Sequence, residues 1–258
     1  MDREAMRPHG FPHIASQLLN KPVAIHPHKM ETLICVMQHK LGVVSMSSID
    51  SVTLDAKGMI DRVALARDAT YDPDNRKSYA VDDDIAVIRI EGTLVHKAGW
   101  LDAASGFCGY NHIARQFNDA LRDPDVLGIW LELDSPGGAV AGLFALIEEM
   151  IEANDGPQRK PVYGYVNEQA CSAAYALACV CDRLYGPEDA MVGSIGCVIV
   201  HTSFEDALKE EGLNVTIVRA GKRKMRGNSL ENLDEETIDK LQSTVDSTRA
   251  RFANLVSM

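Results

Sequence analysis

The stretch QACSAAYALACVCD, Gln169–Asp182, surrounds one hydroxyl, Ser172, with small and apolar residues at the point where a buried helix is expected to begin. Serine there fits two roles. It is a small core residue that also caps a helix N-terminus. It is equally a nucleophile whose site needs close backbone approach and the positive end of a helix. The segments on either side decide the fold around it. Upstream, PVYGYV (161–166) reads as a strand; before that come the strand LGIWLELDS (127–135), the turn PGG (136–138) and the helix AVAGLFALIEEMIEA (139–153). Earlier still, IAVIRIEGTLV (85–95) reads as one β-branched strand and HIARQFNDALRD (112–123) as an amphipathic helix ending at Pro124. Downstream, RLYGPEDAMVGSIGCVIVHT (183–202) supplies two short strands and NVTIVRAG (214–221) one more. Strands alternating with helices imply an α/β fold of βαβ units with right-handed crossovers. In such folds reactive groups collect at strand-to-helix turns, and both DSPGG and EQACSAA are such turns.

Residues 1–82 differ in character. They hold five of the eight histidines, a periodic apolar segment METLICVMQHKLGVV (30–44) that reads as a helix, and most of the polar stretch DATYDPDNRKSYAVDDD (68–84). An N-terminal, mainly helical appendage and linker over 1–82 and a catalytic domain over 83–258 follow. The closing segment ENLDEETIDKLQSTVDSTRARFANLVSM (231–258) spaces Ile238, Leu241, Val245, Thr248, Phe252 and Leu255 by threes and fours, one helix with an apolar stripe. That stripe packs either on its own domain or on a second subunit.

The 258 residues are 46% hydrophobic and 24% charged, as in ordinary globular proteins. No apolar run reaches the roughly 20 residues of a membrane span, and the N-terminus lacks a signal-peptide core, so no membrane partner and a cytosol-like compartment are expected. A net charge of −11 argues against a general nucleic-acid binder. The basic cluster Arg219, Lys222, Arg223, Lys224 and Arg226 could hold phosphate, but it is short and lacks interleaved aromatics. Six cysteines show neither CxxC pairs nor zinc spacing and read as buried free thiols; no metal and no cofactor is expected.

Chemistry at Ser172 requires donors for an oxyanion and a base. DSPGG leaves unshielded N–H groups after a strand, which suits an oxyanion hole. The candidate bases are His201, 29 residues downstream of Ser172, and Lys224, which would serve if burial lowered its pKa from about 10.4 toward neutrality. Cys171 is a rival nucleophile without an evident activator.

DSPGG, ACSAAYALA, GSIGCV and RAGKRKMRGN, in that order, resemble the S49 family of Ser-Lys peptidases, the signal peptide peptidase A group, which shares the fold of the wider Clp-protease/crotonase superfamily with its repeated ββα units. The resemblance implies Ser172 as nucleophile, Lys224 rather than Lys222 as general base, Ser194 as the hydroxyl that orients the lysine, and N–H groups of Gly137 or Gly138 and of Ala173 as the oxyanion hole. FPHIASQLLNKPVAIHP, GTLVHKAG, GYNHIARQ and DSTRARFANLVS narrow it to the capsid assembly, or head maturation, proteases of lambda-like tailed phages. That resemblance implies cleavage of scaffold protein and of the protease itself, contact with capsid and portal proteins, a homo-oligomer, and a place in the host cytoplasm inside the procapsid. Family chains run on past the position of Met258, so part of the domain is expected beyond it. Two further readings stand beside this one. One is a non-catalytic scaffold- or portal-binding module. The other is a crotonase-type acyl-CoA enzyme, which would not need Ser172 together with a distant lysine.

Overall fold

The computed structural model describes residues 21–25, 77–98, 106–157 and 159–258; the helix expected over 30–44 lies outside them. Three parallel strands make the centre: β3 (Ile85–Glu91), β6 (Gly128–Ser135) and β8 (Val162–Cys171). β2 (Ala80–Asp82) joins β3 antiparallel through Asp83 and Asp84, both at positive φ (45° and 64°), the turn that matches strand twist in a tight hairpin. On the far edge, β9 (Arg183–Tyr185) pairs the first half of β8 and β10 (Met191–Gly193) its last three residues.

A second, four-stranded sheet runs in the order β1 (Val23–Ile25), β7 (Gly137–Ala139), β4 (Thr93–Val95), β5 (Phe107–Gly109). Here the structure corrects the expectation of one strand over 85–95. Gly92, at φ 77°, breaks that run, and β4 leaves for the other sheet. The same happens after β6. The PGG segment is not a free turn, because Gly137 at φ 97° carries the chain straight into β7. The helix expected from 139 therefore begins only at Leu143, after Gly142 at φ 87°. A long strand, a glycine break, a short strand in the second sheet and a helix thus recur twice, as β3–β4 before α1 (Tyr110–Arg122) and β6–β7 before α2 (Leu143–Ala153). That is the α/β fold of ββα units expected from the sequence.

The core lies between the central sheet and these helices. Ile88, Ile90, Leu131 and Leu133 meet Ile113, Phe117, Leu143, Ile147 and Met150, all nearly inaccessible to water. α3 (Ala173–Ala178) has four alanines among its six residues, all four buried, small enough to lie close to β7 and β8. NVTIVRAG forms no strand: no backbone hydrogen bond joins it to a strand among the described residues, its one backbone bond being the local turn in which the Lys224 N–H donates to the Gly221 carbonyl, and Val218 is 94% exposed. β-branched residues favour a pleated surface only where a partner strand completes it. α4 (Glu205–Glu210) is a short surface helix, and α5 (Glu235–Val256) closes the chain. The N-terminal half of α5 is exposed, Ile238 at 50%, whereas Phe252 is buried near α3 and Arg251 lies 4.4 Å from the Phe144 ring centre.

Candidate active site

Ser172 occupies the single position between the end of β8 and the start of α3. Its backbone is held at φ 55°, ψ −116°, a conformation that costs a side-chain-bearing residue about 1–3 kcal/mol. Two things hold it there. The Ser172 N–H donates to the Gly193 carbonyl at 2.7 Å, and the residues around it, Ala170, Cys171, Ala173 and Ala174, are fully buried. A strained serine on a strand-to-helix turn is how hydrolase folds project a nucleophile from a rigid sheet. The parallel register Gly193↔Cys171 also brings the GSIG loop to its side, with Ser194 itself at φ 56°.

Gly137 forms the opposite wall. A side chain there would meet the Ala24 carbonyl at 2.3 Å, the Cys171 carbonyl at 2.8 Å and the Ala173 nitrogen at 3.0 Å. Only glycine fits, and the structure therefore brings Gly137 and Ala173 together beside Ser172, as an oxyanion hole needs. Gly138 is as tightly placed, its α-carbon facing the Leu94 backbone. The Ala173 N–H heads α3, where no preceding turn exists to accept it. The Gly137 N–H donates to Ser135 Oγ at 3.2 Å, and that hydroxyl in turn donates to the Gly92 carbonyl at 2.6 Å. Ser135 therefore fixes both glycine breaks. Sequence reasoning quoted it within DSPGG and gave it no role; the only available signal was its place next to the break. A register shift between β6 and β8 at Leu133/Ser135 lets β8 run on to Ser172 while β6 turns away.

Lys224 lies on the chain's surface. It is exposed, and no hydrogen bond joins it to Ser172 or Ser194 among the described residues. The loop carrying it is pinned to the start of α5: Lys222, Arg223 and Arg226 all reach Glu236, and Arg219 reaches Glu231. Of the five cations in the cluster, Lys224 alone has no carboxylate partner among the described residues. Two carboxylates, Glu231 and Glu236, thus partner four of the five cations, three of which share Glu236.

The histidines and Cys171 are engaged in other contacts. The His201 ring lies 3.0 Å from the Asn228 carbonyl and His112 is 2.8 Å from the Ala98 carbonyl; neither contacts Ser172. Burial pushes the Cys171 thiol above its usual range, which keeps it protonated, and its Sγ faces the Met191 carbonyl. Cys108, Cys171, Cys179, Cys181 and Cys197 are all free thiols.

A strained serine thus lies between parallel strand and helix beside a glycine wall, and residues 154–258 match Peptidase family S49. Among curated proteins, the capsid assembly protease C of Escherichia phage lambda is 35% identical over 249 residues, covering 96% of this chain and 56% of that protein. The head-tail preconnector protein GP5 of Enterobacteria phage P21 is 33% identical over 250 residues, 95% of this chain and 48% of that protein. The resemblance read in the sequence is borne out, and the chain spans about half the length of the curated relatives it matches. Among solved structures, an enoyl-CoA hydratase from Mycobacterium avium subsp. paratuberculosis overlays 69% of this chain and 76% of its own at 18% identity and a TM-score of 0.31, too loose to bear on the site.

Proposed function

We propose that this chain is the peptidase part of a phage capsid-assembly protease. It spans an N-terminal segment, 1–82, and a catalytic domain, 83–258. Ser172 attacks the scissile carbonyl; neutral Lys224 takes its proton, with Ser194 orienting the amine; and the N–H groups of Ala173 and of Gly137 or Gly138 stabilise the oxyanion. Lys224 then returns the proton to the leaving amine and activates the water that releases the acyl group. The substrates are scaffold and capsid-assembly proteins and the protease itself, inside the procapsid in the host. The exposed half of α5 supports assembly into a homo-oligomer that also contacts capsid and portal proteins.

The observation that carries the reading is the strained backbone of Ser172 beside Gly137. A core-filling serine would relax to an ordinary helix cap. The test is the intact mass of the full-length protein co-expressed with its scaffold, wild type against Ser172→Ala. Scaffold fragments are expected only with the wild type. Identical masses in both would remove the peptidase reading.

A non-catalytic binding module remains the second reading, favoured by one observation: Lys224 is exposed and makes no hydrogen bond to Ser172 among the described residues. It expects Ser172→Ala to leave both scaffold binding and scaffold mass unchanged.

A further inference from the structure

The short strand β1 lies in an unexpected place. Its three residues come from the N-terminal segment, and they are inserted between two walls of the candidate site. On one side β1 pairs antiparallel with β7, in the register Val23↔Ala139, Ala24↔Gly138, Ile25↔Gly137. On the other, Val23 exchanges two backbone hydrogen bonds with Val198, each 3.0 Å, on the segment that follows GSIG. Val23, Ala24 and Ile25 are 0%, 2% and 5% exposed.

The hydrogen-bond pattern places the Ala24 carbonyl. The Val140 N–H donates to the Pro22 carbonyl. Antiparallel pairs alternate, so Ala24 and Gly138 form the next hydrogen-bonded pair, and the Gly138 N–H donates to the Ala24 carbonyl. That carbonyl oxygen and the Ala173 nitrogen both lie within 3.0 Å of the point where a Gly137 side chain would start. A peptide carbonyl thus already sits among the glycine and Ala173 groups assigned above to the oxyanion.

We infer that the slot between Gly137–Ala139 and Val198 is the groove that receives an extended peptide with small or β-branched apolar side chains, and that residues 22–25 of this chain are its built-in occupant. The inference rests on Ser172 being the nucleophile, since that is what makes the slot a substrate groove. A strand of three residues offers few hydrogen bonds, so an incoming peptide can replace it one for one. While β1 is seated, the Gly138 N–H is taken and no other carbonyl reaches it. The N-terminal segment then acts as an internal competitor, and the apparent affinity for an added peptide falls by the fraction of molecules with the groove open.

The test is peptide binding in the full chain carrying Ser172→Ala, so that no turnover intervenes. The probe is a fluorescein-labelled synthetic peptide of the sequence KPVAIHP, residues 21–27, read by anisotropy. Adding Val23→Asp and Ile25→Asp puts two carboxylates where the chain is buried and ejects β1. The expected result is peptide binding at least about tenfold tighter than in the parent. A second variant, Val23→Cys/Ala139→Cys, bridges a non-hydrogen-bonded antiparallel pair, which suits a disulfide. Oxidised, it should abolish the parent's residual binding; reduced, it should restore it. Equal binding by the parent and by a folded ejected variant overturns the inference. So does an oxidised bridge that leaves binding unchanged, which decides the matter even if the ejected variant does not fold. Binding that behaves as expected while wild type and Ser172→Ala leave scaffold masses identical would instead fault the peptidase reading.

Discussion

Ser172 and Lys224 sit in regions built by different forces. Around Ser172 the backbone is fixed by a parallel ladder, by buried alanines and by glycines with no room for a side chain. Around Lys224 the chain is exposed and irregular, anchored by Glu231 and Glu236 to four neighbouring cations. Exposed ion pairs hold geometry weakly and are screened by salt. The core therefore fixes the proposed nucleophile and the wall opposite it, whereas the placement of the proposed base depends on contacts that water and salt can loosen.

The largest expected effect tests whether these two regions work together. Ser172→Ala and Lys224→Ala should each reduce proteolysis by at least about 10³-fold with unchanged circular dichroism, because members of a catalytic unit fail together. His201→Ala should keep most of the activity. An inactive, folded His201→Ala with an active Lys224→Ala would reverse the choice of base.

The same contrast divides α5 lengthwise. Phe252→Ala should cost about 3–5 kcal/mol of stability in a urea melt, since it opens a cavity beside the alanines of α3. Ile238→Ala, half-exposed, should change the monomer by less than about 0.5 kcal/mol. If the exposed stripe is an interface, Ile238→Asp should lower the mass seen by light scattering at unchanged monomer stability. An unaltered mass removes α5 from the assembly surface.

Glycine substitutions sharpen the comparison further. Gly137→Ala meets strain and the Ala24 carbonyl at once and should lose about 3 kcal/mol or more. Gly221→Ala, at φ 95° in open space near Lys224, carries only the left-handed cost of roughly 1–2 kcal/mol. Similar thermal shifts in both would show that the Ser172 wall is as yielding as the lysine loop.

A further effect lies at Asp123, just after α1. Hydrogen bonds from Lys77 and Tyr79 to Asp123 hold its carboxyl down at about 2, below its ordinary 3.8. A lowered carboxyl stabilises the fold above its unfolded value and loses that contribution as pH falls through the folded one. Asp123→Asn should melt a few degrees below wild type at neutral pH, and the gap should close between about pH 4 and pH 2. A gap that is constant with pH would mean the hydrogen bonds do not depend on the charge.

Much of this was legible beforehand because it is local. Apolar runs marked β3, β6 and β8, the position of Ser172 between strand and helix followed from its alanine-rich context, and DSPGG marked the wall. The errors came where a glycine sends the chain into a different sheet. IAVIRIEGTLV is one run of β-formers, and only Gly92 hints that its last three residues pair elsewhere. NVTIVRAG failed for the opposite reason: a strand needs a partner, and its own residues carry no record of one. The link from Ser135 to both breaks and the insertion of Val23–Ile25 beside Gly137 are long-range contacts, which no periodicity announces.

The register of β10 on β8 has a consequence for how relatives of this chain can vary. Gly193 faces Cys171 because of a parallel ladder, so the distance from Ser194 to Ser172 is set across the sheet and is indifferent to the length of the connection over 186–190. Insertions there should be tolerated by an active enzyme. Deleting one residue within Gln169–Cys171 would instead shift the pairing by one step, about 3.3 Å, and turn every following side chain to the opposite face. Length variation among active descendants should therefore collect in the loop and be absent from the three paired positions.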